Sequence, residues 1–243
     1  MKARVKSLLS ALGIVVVRRT HPGAPYLDLV PSGILDCILV KLFDEARDLT
    51  LVQIGANDGT RADPLHKHIT ARGWHALLVE PLPDFYSQLT GHHAGNPRVT
   101  CLNAAVDDSC GRREIHQIDP ALKHLPDWAW GLASFDRDRV VKAACELGRD
   151  ETDVRSSTVT TVDWSEIWRL VGDHRCDLLV IDTEGQDIRL LRLANLALRR
   201  PRIVHFEHAC VEQSERLAFY QELLEIGYEL ATDGPDSIAW LRD

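Results

Sequence analysis

Val52-Gln53-Ile54-Gly55-Ala56-Asn57-Asp58-Gly59 carries an apolar strand, already begun at Leu49 and Leu51, straight into a turn bracketed by glycines. Leu65, Ile69 and the pair His66/His68 come next at helical spacing. Strand, glycine turn and helix in that order open an α/β nucleotide-binding domain. The glycines relieve the turn and let backbone amides approach a ligand held at the helix N-terminus. Gly-x-Asn-Asp-Gly differs from the Gly-x-Gly-x-x-Gly of pyrophosphate binders, so the ligand is expected to be something other than a dinucleotide.

Working outward, strand and helix periods alternate. Strands are expected at Leu49–Gly55, His75–Glu80, Val99–Val106, Asp177–Ile181 and Ile203–Phe206, with helices at Asp63–Arg72, Pro83–Leu89, Asp187–Leu198 and Ser214–Ile226. In the last two helices Ile188, Leu191 and Leu198, then Leu217, Tyr220 and Leu224, are read as the apolar positions. Between Asp107 and Val162 the pattern is less regular. It holds a hairpin arm at Arg113–Ile118, the loop around Trp128 and Trp130, a helix near Asp138–Leu147 and a strand at Ser157–Val162. A helix at Trp164–Val171 then leads back into the regular alternation. Two final strands, Tyr228–Thr232 and Ile238–Leu241, flank Asp233-Gly234-Pro235-Asp236, which fits a hairpin turn. Parallel strands need long crossovers, whereas a tight turn joins antiparallel neighbours. The expected fold is therefore α/β: a doubly wound, mostly parallel seven-stranded sheet closed by a C-terminal antiparallel hairpin, Rossmann-like in the class I manner. Residues 1–48 read as a helical extension packed on the core, with a helix at Ile34–Ala46, residues 49–243 as the ligand-binding domain, and 107–162 as an insertion within it.

Bulk properties narrow the function. The 243-residue chain is 45% hydrophobic and 26% charged, ordinary for a globular enzyme of one α/β domain. A net charge of −8 and the lack of a long basic run argue against nucleic acid as partner. Cys37, Cys101, Cys110, Cys145, Cys176 and Cys210 are scattered without a Cys-x-x-Cys pair, which suits reduced thiols in the cytoplasm better than a disulfide framework or closed zinc site. The apolar stretch Leu8–Val17, with basic residues on both sides, is too short to span a bilayer and reads as a short amphipathic helix and strand packed on the domain, with a weak membrane-surface anchor as the alternative. A homodimer is compatible with such a chain.

In an open parallel sheet the ligand sits beyond the carboxyl ends of the strands. Walking those ends gives the Gly55–Gly59 turn, Glu80, Asn103 to Ala105, Asp182-Thr183-Glu184-Gly185, and Glu207-His208. Glu80 lies 21 residues beyond Gly59, where an acid accepts both hydroxyls of a ribose. Gly55, Ala56 and Gly59 would let backbone approach the cofactor, Asn57 and Asp58 would hold its amino-acid part, and Asn103 and Ala105 would lie against the adenine. Asp182 points from the central strand toward the reacting centre, with Glu184 beside it. Asp187 is explained by helix capping alone. Asp182, Glu207 and His208 suit either of two jobs. They bind Mg2+ or another divalent cation, or His208 acts as general base, oriented by an acid. Magnesium prefers oxygen ligands, which weighs against the metal.

These residues make the chain resemble the FkbM-type family of S-adenosylmethionine-dependent methyltransferases. The likeness runs from about Leu49 to Ala209. It rests on Val52–Gly59, Val79-Glu80-Pro81, Asn103-Ala104-Ala105-Val106, Trp130-Gly131-Leu132-Ala133-Ser134-Phe135, Ile181-Asp182-Thr183-Glu184-Gly185 and His205-Phe206-Glu207-His208. The resemblance implies O-methylation of a hydroxyl on a sugar or glycan, with a polyketide or other secondary metabolite as the alternative. It places S-adenosylmethionine against Gly55, Asn57, Asp58, Glu80, Asn103 to Ala105 and Asp182. For acceptor and chemistry it points to Asp182, Glu184, Glu207 and His208, with Trp130 and Ser134 of the insertion on the acceptor side. A nicotinamide oxidoreductase would need the missing glycine pattern, or a Tyr-x-x-x-Lys pair that none of the four tyrosines supplies. A non-catalytic relative would not need so polar an edge.

Overall fold

The computed structural model describes residues 34–43, 48–61, 63, 65–122 and 124–241. The reading of Leu8–Val17 lies outside them. Helix α1 (Ile34–Phe43) precedes β1 (Thr50–Ile54), α2 (His66–Arg72), β2 (His75–Val79), α3 (Pro83–His92) and β3 (Val99–Leu102). Then come β4 (Ala105–Val106), β5 (Gly111–Ile118), α4 (Asp127–Trp130), β6 (Ala133–Ser134), α5 (Arg137–Glu146) and β7 (Val154–Val162). The chain returns through α6 (Trp164–Val171), β8 (Leu178–Ile181), α7 (Asp187–Leu193), α8 (Leu196–Arg199), β9 (Ile203–Glu207), α9 (Gln213–Glu225), β10 (Tyr228–Asp233) and β11 (Asp236–Leu241).

Seven strands form one sheet in the order β10-β11-β9-β8-β1-β2-β3. Pairs β1·β2, β2·β3, β1·β8 and β8·β9 are parallel, while β11 pairs antiparallel with both β9 and β10. The expected architecture is thus present, with the antiparallel strand inserted one place in from the edge. Both faces are covered, which is why β8 is apolar along its whole length and its neighbours carry polar residues mainly toward their carboxyl ends. Val52, Ile54, Leu179, Ile181, Val204 and Phe206 pack on Trp164, Ile167, Leu191 and Phe219 from α6, α7 and α9. Leu51, Leu178 and Ile203 pack the other way, on Leu35 and Leu39 of α1, Ile69 of α2 and Leu89 of α3. Each fully buried side chain of this size contributes about 1.5–3 kcal/mol.

Three local expectations are corrected. The strand expected at Val99–Val106 breaks after Leu102, because the Asn103 amide donates to the Glu80 and Pro81 carbonyls at 2.8 and 3.1 Å and turns the chain away. The next strand, β4, belongs to a second sheet, β4-β7-β5-β6, whose other strands come from residues 107–162. The helix expected to run to Leu198 stops near Ala194; Asn195 adopts φ 55° and Leu198 is 70% exposed. On α9 it is Phe219 and Leu223 that are buried, while Leu217 and Leu224 face outward.

Candidate active site

Winding runs from β1 to β2 and β3 on one side and from β8 to β9 on the other, so the reversal lies between β1 and β8. Crevices form at such reversals, and a cavity of about 480 Å³ opens there. Gly55 and Asp182 face each other across it so closely that a Cβ on Gly55, whose φ is +82°, would stand 1.8 Å from the Asp182 carbonyl oxygen. Only glycine fits that position.

Over β1 and β2 the cavity is framed mostly by saturated polar groups, Gln53 Oε1 and Asp63 Oδ2 being the unpartnered atoms there among the described residues. The Glu80 carboxylate accepts from Asn57 N–H at 2.9 Å and Leu82 N–H at 2.8 Å. Burial nevertheless pushes its carboxyl up to about 7, against the pull of those two hydrogen bonds. Asn57 sits at φ 51°, its side-chain oxygen accepting from Asp58 N–H at 2.7 Å. Its amide nitrogen lies where a Cβ on Gly131 would fall, so the insertion closes directly on the turn. Gly55, Ala56, Asn57, Glu80 and Ala105 line the cavity. Asp58, Gly59 and Asn103 stand one layer back and shape it. One Asp58 oxygen accepts from Thr60 and Arg61 N–H at 2.8 and 2.7 Å; burial works against its ionised form, but these bonds win and lower its pKa. Asn103 makes the break between β3 and β4.

The half over β8, β9 and β11 is different. Gln53, Val180, His205 and Ile238 lie in register across four strands, and one step nearer the edge Glu207 pairs with Asp236, which pairs with Asp233. Gln53, Asp182, Glu184, His205, Glu207, Asp233 and Asp236 all line the cavity. The accessible surface of Asp182 opens into that cavity. Desolvation holds its carboxyl well above the usual range, reinforced by Glu184, Asp187, Glu207 and Asp236. Glu184, at φ 56°, is ion-paired to Arg139 of α5, which also lies 3.6 Å from Glu207. Burial raises the Glu207 carboxyl, with Glu184 adding to it and Arg139 opposing. The capping expected of Asp187 is corrected: the N-cap of α7 is Gln186, without a side-chain cap bond, and Asp187 instead accepts from the Thr183 hydroxyl at 2.9 Å and Glu207 N–H at 3.2 Å, tying the two strand ends together. Ser134 lines the cavity too and donates to the Glu184 carbonyl at 3.1 Å.

The expectation for His208 is corrected. Its Nδ1 is 2.8 Å from the Ser237 hydroxyl, which is 2.6 Å from the Tyr220 hydroxyl, and the ring is buried behind β11 outside the cavity. The imidazole that lines the cavity is His205, with Nε2 3.7 Å from Asp236 and Nδ1 without a partner among the described residues. Burial pushes His205 down to about 4, against the opposing charge of Asp233, and pushes Asp236 up to about 6. The set Asp182, Glu207 and His208 therefore does not converge as a metal site. Among the described residues the group that does converge is Glu184, Glu207 and Cys210. Arg139 already supplies the cation there, and a thiol is a poor ligand for magnesium. Trp130 is not part of the wall; it packs beside Leu82 and Ile115 under the Arg61 guanidinium, 4.9 Å from its ring centre, and Arg61 reaches the cavity in its place.

Gln53, Arg61, Asp63, Arg139, His205, Asp233 and Asp236 are site residues that sequence reasoning missed. For His205 a signal existed. Alternate strand residues share a face, so His205 goes with Glu207 while His208 does not.

The model of the methyltransferase FkbM domain matches residues 53–230 of this chain. The chain belongs to the FkbM methyltransferase family. No curated protein matches it. Among solved structures, a methyltransferase FkbM from Methylobacillus flagellatus is 13% identical, with 80% of this chain covering 44% of that one at a TM-score of 0.49. A precorrin-6y C5,15-methyltransferase from Geobacter metallireducens is 12% identical, over 80% of this chain and 81% of that one, at 0.37. The N-terminal domain of human METTL16 is 12% identical, over 97% and 78%, at 0.45. Membership gives residues 53–230 the methyltransferase domain, and the chain spans less than half the length of the Methylobacillus protein. No helix among the described residues is long and apolar enough to cross a membrane.

Proposed function

We propose that this methyltransferase draws its methyl group from S-adenosylmethionine and delivers it to a hydroxyl of a sugar or glycan. The observation that supports this reading is one cavity shared by two unlike halves, a glycine turn with a strand-end acid and an acid-rich edge. Glu80 stands where a ribose diol finds its acceptor, Gly55, Ala56 and Asn57 leave room for the amino-acid part, and Ala104 and Ala105 give an apolar seat for adenine. Gln53, 6% exposed with its Oε1 lacking a donor among the described residues, suits the cofactor's ammonium group. Bound there, the sulfonium donor supplies an already activated methyl.

The chain's own part is alignment and proton removal. Carboxylates at Glu207 and Asp236 accept hydrogen bonds from acceptor hydroxyls, and His205 takes the hydroxyl proton in the role expected of His208. Alignment supplies roughly 7–11 kcal/mol in favourable cases, and a positioned base about 10²–10⁴-fold. No metal step enters, since the donors expected for one do not converge. A small sugar or an oligosaccharide fits the polar edge, while the −8 charge disfavours nucleic acid. Cysteines held as thiols support a cytoplasmic setting.

Isothermal titration with S-adenosylmethionine is the first test, and no binding at millimolar ligand sinks the reading. A panel of sugars and polyketide alcohols with labelled donor is the second. Transfer to polyketides alone removes the sugar assignment.

A further inference from the structure

Among the described residues the Asp182 carboxyl has no hydrogen-bond or ion-pair partner. Four acids act on it: Glu184 from its own turn, Asp187 from α7, Glu207 from β9 and Asp236 from β11. Arg139 is engaged by Glu184 and Glu207, and His205 lies toward Asp236. A carboxyl that opens into the cavity without a partner and among like charges favours any cation that arrives there. Gln53 independently marks the spot as a ligand site, since its buried Oε1 in the same cavity waits for a donor.

We propose that Asp182 reads the positive charge of the methyl donor, so that the cavity holds sulfonium-bearing S-adenosylmethionine and lets go of its neutral thioether product. The inference rests on the cofactor placement of the proposed function. With the ribose at Glu80 on β2, a sulfur one carbon beyond the ribose ring is carried across β1 toward β8, successive strands lying about 4.8 Å apart. Asp182 ends β8 and is the uncompensated acid met in that direction. In the transfer the acceptor oxygen bonds to the methyl carbon, the carbon–sulfur bond breaks with its electron pair kept by sulfur, and the hydroxyl proton passes to His205. The sulfur is then uncharged and Asp182 loses its counter-ion, which favours product departure.

Titration calorimetry of the full chain at pH 8 with three ligands tests this: S-adenosylmethionine, S-adenosylhomocysteine and sinefungin, whose amine places a positive charge at the sulfur position. The charged pair is expected to bind the native protein more tightly than the thioether, on the order of tenfold. Asp182→Asn is expected to erase that preference while leaving the thioether within about twofold of its native affinity. Equal affinity of native protein for all three ligands overturns the proposal, as does an Asp182→Asn variant that keeps the preference or weakens all three alike. The native comparison stands even if the variant folds poorly. Failure of all three ligands to bind overturns the methyl-donor reading itself, and this inference with it.

Discussion

The two halves of the cavity handle their polar groups in opposite ways. Over β1 and β2, Glu80, Asp58 and Asn103 each make two or more hydrogen bonds to backbone. Over β8 and β9, the Asp182 carboxyl, Glu207 Oε2 and His205 Nδ1 make no hydrogen bond among the described residues, and Asp236 stops 3.7 Å from His205. The two buried atoms among them, Glu207 Oε2 and His205 Nδ1, cost about 1–3 kcal/mol each. Gln53 Oε1 and Asp63 Oδ2 apart, one half is therefore a mould whose shape is set without ligand. The other retains unsatisfied capacity that ligand atoms would take up, the pattern of a reacting centre. Breaking the mould should lose structure and binding together, whereas changes at the other half should lose chemistry and leave the fold intact.

The largest effect is expected at the point where the halves touch. Gly55→Ala forces a Cβ into the Asp182 carbonyl and holds alanine at φ +82°. That combination should destabilise the protein on the order of 3 kcal/mol and abolish detectable donor binding, by urea denaturation and calorimetry. Gly131→Ala meets the Asn57 side-chain amide, not backbone, and its own φ of −106° is ordinary. It should cost about 1 kcal/mol. Equal losses at the two glycines would show that the β1–β8 approach is not a rigid junction.

Next comes His205→Asn on the reactive half. Turnover with a competent acceptor should fall about 10²–10³-fold, while donor affinity and melting temperature stay near native values. A parallel loss of donor affinity would move His205 into the mould and remove its assignment as proton acceptor.

The legible parts of the sequence were those fixed by local rules. The glycine turn, the strand-end acid 21 residues on and the hairpin at Gly234-Pro235 each follow from backbone geometry within a few residues, and each is found where expected. What the sequence hid depends on distant partners. Asn103 reads as one more strand residue until the Glu80 and Pro81 carbonyls are there to receive its amide. Arg139 belongs to a helix of the insertion, and nothing near it in the chain announces Glu184 and Glu207. Taking strand ends as a list of polar residues favours His208 over His205. Only the two-residue alternation along β9 carries His205 to the cavity side.

Glu80→Gln tests the mould more gently. Each oxygen now serves one backbone N–H, and a glutamine must turn its own N–H₂ toward one of them. Donor affinity should fall about 10–100-fold, equivalent to roughly 1–3 kcal/mol. The same residue shapes the pH dependence of the free protein. Its folded value, about 7, lies above the ordinary 4.5, so between those values the folded state binds more protons than the unfolded one. The contribution of Glu80 to stability is fully present below about 4.5 and is lost as pH rises through about 7. Asp187, raised to about 7 by burial, acts in the same sense. Urea midpoints measured from about pH 5 to 8 should decline, and Glu80→Gln should flatten the decline. A slope unchanged by the substitution would assign the linkage to Asp187.

The smallest effect on chemistry is expected from the residue that the sequence offered as general base or metal ligand. His208 is buried and linked through Ser237 to Tyr220, outside the cavity. His208→Asn should therefore cost about 1 kcal/mol of stability through the broken chain, yet leave turnover within about twofold of native. Exhaustive chelation should likewise leave turnover unchanged, because the ligand set that needed His208 does not converge and Arg139 already sits between Glu184 and Glu207. The two measurements separate the ways this could be wrong. Loss of activity in His208→Asn that chelation does not reproduce would make the imidazole a proton carrier reached by movement of the β10–β11 hairpin. Loss in both, restored by added Mg2+ only in the native protein, would mean that the reactive half is completed by a cation and not by the charged donor alone.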